Sequence, residues 1–204
     1  MNYFVTAIGT DSGKTIVSAI LIEALGGDYW KPIQAGYPTD TDTVKSLLSS
    51  QGVCFFEEAY LLNTPASPHA AAKIDNVEIS LKSIKLPNTD KDLIIEGAGG
   101  LMVPLNQDEL VIHIAQQFDC EVILVCNLYL GSINHSLLSL DYLKTNQYKI
   151  RGIIFNGVSN PESEQIILNH ARVPCLLRID QEAEMNKERV SHYAKILKHN
   201  MINE

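Results

Sequence analysis

Short apolar runs of strand length recur along the chain, at Tyr3 to Ile8, Tyr29 to Ile33, Leu93 to Glu96, Val122 to Cys126, Gly152 to Phe155 and, more weakly, Cys175 to Ile179. Stretches of helical period separate them. Val17, Ile20, Leu21, Ala24 and Leu25 share one helical face, as do Leu110, Val111, Ile114, Ala115 and Phe118, and later Val190, Tyr193, Ala194 and Leu197. Such stripes face a core. Short apolar strands alternating with amphipathic helices predict an α/β fold, a mostly parallel sheet with helices on both faces. Gly26-Gly27 reads as the stop of the first helix, and Lys85 to Asp92 as a polar surface connection. With no repeat, low-complexity tract or linker, residues 1–204 read as one domain.

Composition narrows the function classes. With 46% hydrophobic and 20% charged residues, the chain has the balance of a soluble globular protein able to bury a core. No run approaches the roughly 20 apolar residues of a membrane span, and the N-terminus enters a strand directly, so a cytoplasmic protein without membrane contact is expected. The formal charge of −8 opposes binding to nucleic acid, which is driven by cations that neutralise phosphates. Any phosphate chemistry must be local. Cys54, Cys120, Cys126 and Cys175 lie far apart without CxxC spacing and read as reduced, mostly buried thiols.

Immediately after the first apolar run comes Gly9-Thr10-Asp11-Ser12-Gly13-Lys14-Thr15, with a helix beginning near Ile16. Strand, glycine loop, GK[ST] and helix form the context of a P-loop, and hence of a P-loop NTPase-like domain. Glycines let backbone N–H groups turn toward phosphates, the helix N-terminus adds positive potential, and the Lys14 ammonium reaches the outer phosphates. Thr15 would offer its hydroxyl to Mg²⁺. Only three residues separate the two glycines, where the usual motif has four; the plain alternative is a glycine-rich strand-to-helix turn.

Two acidic elements stand where a magnesium ion would need them. Glu96 closes the run Leu93-Ile94-Ile95 and precedes Gly97-Ala98-Gly99-Gly100, so it should project at the carboxyl edge of the sheet beside the loop. Thr39-Asp40-Thr41-Asp42-Thr43 opens a helix carrying Val44, Leu47 and Leu48. One of its aspartates is expected to cap that helix.

Read together, GTDSGKT, Lys31-Pro32-Ile33-Gln34-Ala35-Gly36, Ser67-Pro68-His69, Glu96-Gly97-Ala98-Gly99-Gly100 and Leu130-Gly131-Ser132-Ile133-Asn134-His135 resemble the dethiobiotin synthetase family, in family order across about three quarters of the chain. The resemblance implies an ATP-dependent cyclo-ligase of biotin biosynthesis. One amine of 7,8-diaminononanoate takes up CO₂ as a carbamate, the carbamate attacks the γ-phosphate of ATP, and the second amine displaces phosphate and closes the ring.

Carried over residue by residue, the resemblance implies that Lys14 and Lys31 are catalytic and that Gly9, Thr10, Asp11, Ser12, Gly13, Lys14, Thr15, Ile16, Glu96, Gly97, Gly99 and Asn156 bind nucleotide. Ser12, Lys31, Ala35, Gly99, Gly131, Ser132, Ile133 and Asn134 would bind the diamine. Thr15, Asp42 and Glu96 would hold Mg²⁺, with Asp40 as the alternative should the short loop shift the register. The family takes its LGxINH segment from the partner subunit, which implies a homodimer; His135 is left out of the chemistry.

The chain also departs from the family pattern. Its loop is two residues shorter than GTDTxVGKT, Ala35 stands where serine is common, and Tyr129 where Lys or Arg often precedes LGxINH. Gly157 replaces an acid after Asn156, and Arg178-Ile179-Asp180 lacks a Gly-x-x-Pro loop, so use of nucleoside triphosphates other than ATP is a hypothesis that follows. Two rivals share the fold. Amide-forming synthetases of cobalamin biosynthesis carry a glutaminase domain that is absent here. Dimeric P-loop ATPase switches normally carry a second lysine early in the loop, where this chain has Thr10-Asp11-Ser12.

Overall fold

The computed structural model describes residues 1–202. Among the described residues nine strands form, β1 (Asn2–Ala7), β2 (Asp28–Trp30), β3 (Ile33–Ala35), β4 (Phe55–Phe56), β5 (Tyr60–Leu62), β6 (Leu93–Glu96), β7 (Glu121–Asn127), β8 (Lys149–Asn156) and β9 (Cys175–Ile179). Seven build one sheet in the order β4-β2-β6-β1-β7-β8-β9, and every pairing in it is parallel. Helices α1 (Lys14–Leu25), α2 (Asp40–Leu47), α3 (Pro68–Ile74), α4 (His113–Gln117), α5 (Ser132–Thr145), α6 (Pro161–Ala171) and α7 (Lys187–Ile202) cover it.

The pleat sorts the strand residues between two cores. Tyr3, Val5 and Ala7 of β1 join α1, α2 and α7 on one face, while Phe4 joins the layer containing α3 and α4 on the other. In β7, Ile123 and Val125 face the first layer; Leu124 and Cys126 pack with residues of α5 and α6. A parallel sheet with helices on both faces is thus the architecture the pattern predicts. Helix α1 is buried nearly all round because α2 and α7 cover its outer side. It stops at Gly26, whose left-handed backbone lets its N–H bond the Ile22 carbonyl at 2.8 Å.

One apolar run divides. The segment from Tyr29 to Ile33 ends as a strand at Trp30, since Pro32 cannot donate to the ladder, and Ile33–Ala35 pairs instead with Tyr60–Leu62 in a separate two-stranded sheet. The break delivers Lys31 to the sheet's carboxyl edge. Cys120 and Cys126 are buried, and burial pushes both thiols up to about 12; Cys175 is half-buried and Cys54 exposed. No helix among the described residues is long and apolar enough to cross a membrane.

Candidate active site

The carboxyl ends of β1, β3 and β6 open onto a cleft of ≈ 740 Å³, the position where open α/β sheets take ligands. The loop from Gly9 to Gly13 enters α1 through Gly13, which has φ +97°. Thr10, Asp11, Gly13, Lys14, Thr15 and Ile16 line the cleft with Lys31, Ala35, Asp40, Glu96 and Gly99. Gly97 does not line it, and a Cβ there would press within 3.2 Å of Phe4 and Val111.

At the back of the cleft two carboxylates, a hydroxyl and an ammonium converge. Lys31 Nζ lies 2.6 Å from Asp40 Oδ2 and 3.0 Å from Glu96 Oε1, and it also donates to the Gly97 carbonyl at 2.9 Å. Thr15 Oγ1 donates toward Glu96 Oε1 at 2.9 Å and lies 3.2 Å from Asp40 Oδ1. Burial opposes the Lys31 charge, but Glu96 and Asp40 outweigh it and hold the pKa above the ordinary lysine value. For Asp40, burial is likewise outweighed, by Lys31 and the Thr15 hydroxyl, and its carboxyl stays below the usual carboxylate range. Lys14 goes the other way: burial, reinforced by the nearby Lys31 charge, lowers it to about 8.

Of the two aspartates inferred from the sequence as magnesium ligands, Asp42 and the alternative Asp40, the geometry brings Asp40 to Thr15 and Lys31. Thr39, not an aspartate, is the N-cap of α2, and its hydroxyl exchanges hydrogen bonds with exposed Asp42, donating to Oδ2 at 2.7 Å and accepting from the backbone N at 3.1 Å. Asp42 is thereby held in capping. Asp40, at the first helical position, carries its charge at the positive end of α2 and faces Thr15 and Lys31. Thr15, Asp40 and Glu96 supply oxygen donors only, which fits a hard cation such as Mg²⁺ bound by two carboxylates with phosphates and water completing the shell.

Six other expected residues stand apart from the cleft. Ser12 is fully buried, with its hydroxyl turned toward β7. Asn156 donates through Nδ2 to the Ser12 carbonyl at 2.9 Å. Gly131, Ile133 and Asn134 are exposed at the start of α5, with Ser132 buried between them, and none lines the cleft.

Sequence reasoning passed over Gln34, Tyr29 and Asn127. Gln34 is buried in the cleft wall, and its Oε1 accepts the Asp40 N–H at 3.1 Å. Tyr29 sits inside an apolar run and reads as core, yet its buried hydroxyl donates to Glu96 Oε2 at 2.9 Å. Burial raises the Tyr29 pKa well above the ordinary tyrosine value, and the Glu96 charge adds to this, so the group acts as a donor. Replacing Tyr29 with phenylalanine keeps the ring on Phe55, 5.9 Å between centroids, but leaves Glu96 Oε2 without this buried donor. The variant should be about 1–3 kcal/mol less stable, measured by urea unfolding.

Comparison with known proteins places this geometry. The model of an AAA domain family matches residues 1–189. A protein of Cytophaga hutchinsonii named ATP-dependent dethiobiotin synthetase BioD is 55% identical over 194 residues, covering 94% of each chain. Proteins with the same name from Christiangramia forsetii and Rhodopseudomonas palustris are 50% and 43% identical over 95% and 90% of this chain, and over 94% and 87% of their own. Among solved structures, the septum site-determining protein MinD of Pyrococcus horikoshii, complexed with Mg-ADP, superposes with a TM-score of 0.61 at 16% identity over 97% of this chain and 95% of its own. A ParA family ATPase of Chlorobium tepidum gives 0.62 at 12% over 98% and 97%. At such identities the two structures speak to the fold alone.

Proposed function

The chain belongs to the ATP-dependent dethiobiotin synthetase family, and from that premise we propose how its own residues carry the reaction. It is an ATP-dependent cyclo-ligase that closes a ring in biotin biosynthesis. The observation that carries the mechanistic reading is the meeting of Lys14, Lys31, Thr15, Asp40 and Glu96 in one cleft.

In the proposed sequence an amine of 7,8-diaminononanoate adds to CO₂, forming a C–N bond and losing a proton to give a carbamate. A carbamate oxygen then attacks the γ-phosphorus of ATP, and ADP leaves. The second amine attacks the carbamoyl carbon and gives up a proton, phosphate departs with its electron pair, and the ureido ring closes. Two anions must approach one another in the middle step, so the protein's contribution is positioning and charge. Lys14, at the start of α1, faces the phosphates, and Lys31 supplies the second cation at the wall. Magnesium, held by Thr15, Asp40 and Glu96, would neutralise phosphate charge.

The diamine's far end is assigned to the start of α5 on a partner subunit in a cytoplasmic homodimer. Leu138 and Met102, each more than half exposed, line an apolar hollow beside the cleft that favours a second copy. Leu138→Glu should therefore shift the protein to monomer in light-scattering chromatography and raise the KM for the diamine severalfold with little change for ATP.

The direct test combines purified protein with MgATP, bicarbonate and 7,8-diaminononanoate and follows phosphate and product mass, omitting each component in turn. Diamine-dependent phosphate and dethiobiotin are expected. Phosphate release indifferent to the diamine would favour a nucleotide switch instead.

A further inference from the structure

Asn127 and Asn156 are register partners at the carboxyl ends of neighbouring strands β7 and β8. Both reach the same residue of the phosphate loop. The Ser12 hydroxyl has one proton, and its shorter contact, 2.7 Å to Asn127 Oδ1, takes precedence over the 3.1 Å approach to the Gly9 carbonyl. From the other side Asn156 Nδ2 donates to the Ser12 carbonyl at 2.9 Å.

We infer that this pair forms a two-point clamp on Ser12, and that Asn127 and Asn156 are positioning residues which hold the short phosphate loop in its phosphate-receiving shape. The loop needs such a clamp because Asp11, with φ +57°, holds a conformation sparsely populated for a residue other than glycine, which a loop free to relax would leave. Gly13 belongs to the same device, since a Cβ there would collide with the Asn156 amide. Ser12 itself, fully buried, is not aimed at ligand; it is the handle by which the sheet grips the loop. Preorganisation of this kind shows itself as affinity, because the loop's ordering is complete before nucleotide arrives.

The inference rests on the nucleotide reading of the cleft, so two measurements separate them. Hydrogen exchange of loop residues 9–15 in the nucleotide-free protein should be faster in Asn127→Ala than in wild type and restored in Asn127→Asp, whose carboxylate still accepts the Ser12 proton. ADP affinity by calorimetry should fall roughly fivefold in Asn127→Ala, the worth of about one hydrogen bond. Adding Asn127→Ala to Ser12→Ala should then change nothing further, because the first acts through the second. Unchanged loop exchange in Asn127→Ala, or effects of the two substitutions that multiply, would overturn the clamp. A wild-type protein that binds no ADP would overturn the nucleotide reading while leaving the exchange result to stand. Should Asn127→Ala fail to fold, Asn127→Asp against Ser12→Ala in the exchange measurement decides the matter: the clamp requires protection in the first and loss in the second.

Discussion

Lys31→Met is expected to lower stability by about 3 kcal/mol and turnover by a hundredfold or more. The stability loss follows from leaving Asp40 and Glu96 beside one another with no ammonium between them, since breaking a buried ion pair strands an uncompensated charge. The low end of the usual range applies because the Asp40 side chain is a third exposed and its charge is partly screened, whereas Glu96 is wholly buried.

The pH dependence gives the prediction its signature. In the wild type the depressed carboxyl of Asp40 contributes stability above the unfolded value of about 3.9, lost only as pH falls through its lower folded value. The raised Lys31 contributes stability that is complete below about 10.4 and lost as pH rises through its folded value. Between those limits the cluster's contribution is flat. In the variant the two carboxylates repel and one binds a proton more readily than in the unfolded chain, so folding takes up protons and stability rises as pH falls. The difference between wild type and variant should therefore be larger at pH 8 than at pH 5.5. Urea unfolding at the two values measures it, and an equal difference at both would rule out carboxylate repulsion as its source.

The parts of this site that were legible in the sequence are those whose chemistry is local. A strand, a loop bounded by Gly9 and Gly13, and Lys14-Thr15 are contiguous, and Glu96 announces itself by ending an apolar run before glycines. The choice between Asp40 and Asp42 was not legible, because both lie in one alternating stretch and the helix phase decides between them. Thr39 caps α2, Asp42 turns back to it, and Asp40 is left facing Lys31. Tyr29, and the hold of Asn127 on Ser12, were hidden for a related reason. An aromatic ring in an apolar run and a serine in a glycine loop look complete in themselves, and their roles depend on Glu96 and Asn127, 67 and 115 residues away. The division of the second apolar run was signalled by Pro32, while the tiny strands β4 and β5 have too few residues for any period to show.

Lys14→Met should separate function from stability in the opposite sense to Lys31. Turnover is expected to fall roughly a thousandfold, because the ammonium at the head of α1 is the cation nearest the phosphate loop and charge stabilisation dominates phosphoryl transfer. Thermal stability should hold or rise. Lys14 is buried, and its pKa of about 8 means that the fold disfavours its charged form, through burial first and the neighbouring Lys31 second. Between about 8 and the unfolded lysine value near 10.4 the unfolded chain binds more protons than the folded one, so wild-type stability climbs with pH across that window. Methionine removes both the penalty at neutral pH and the climb. Scanning calorimetry from pH 7 to 10 should show the two proteins converging as the lysine loses its proton. Nucleotide should reverse the wild-type trend, since a triphosphate favours the charged lysine; ADP binding above pH 8 should take up a proton, and its affinity should weaken as pH rises. A Lys14→Met protein markedly less stable than wild type at pH 7 would mean that this lysine is a structural counter-ion and not a strained phosphate ligand held ready for ATP.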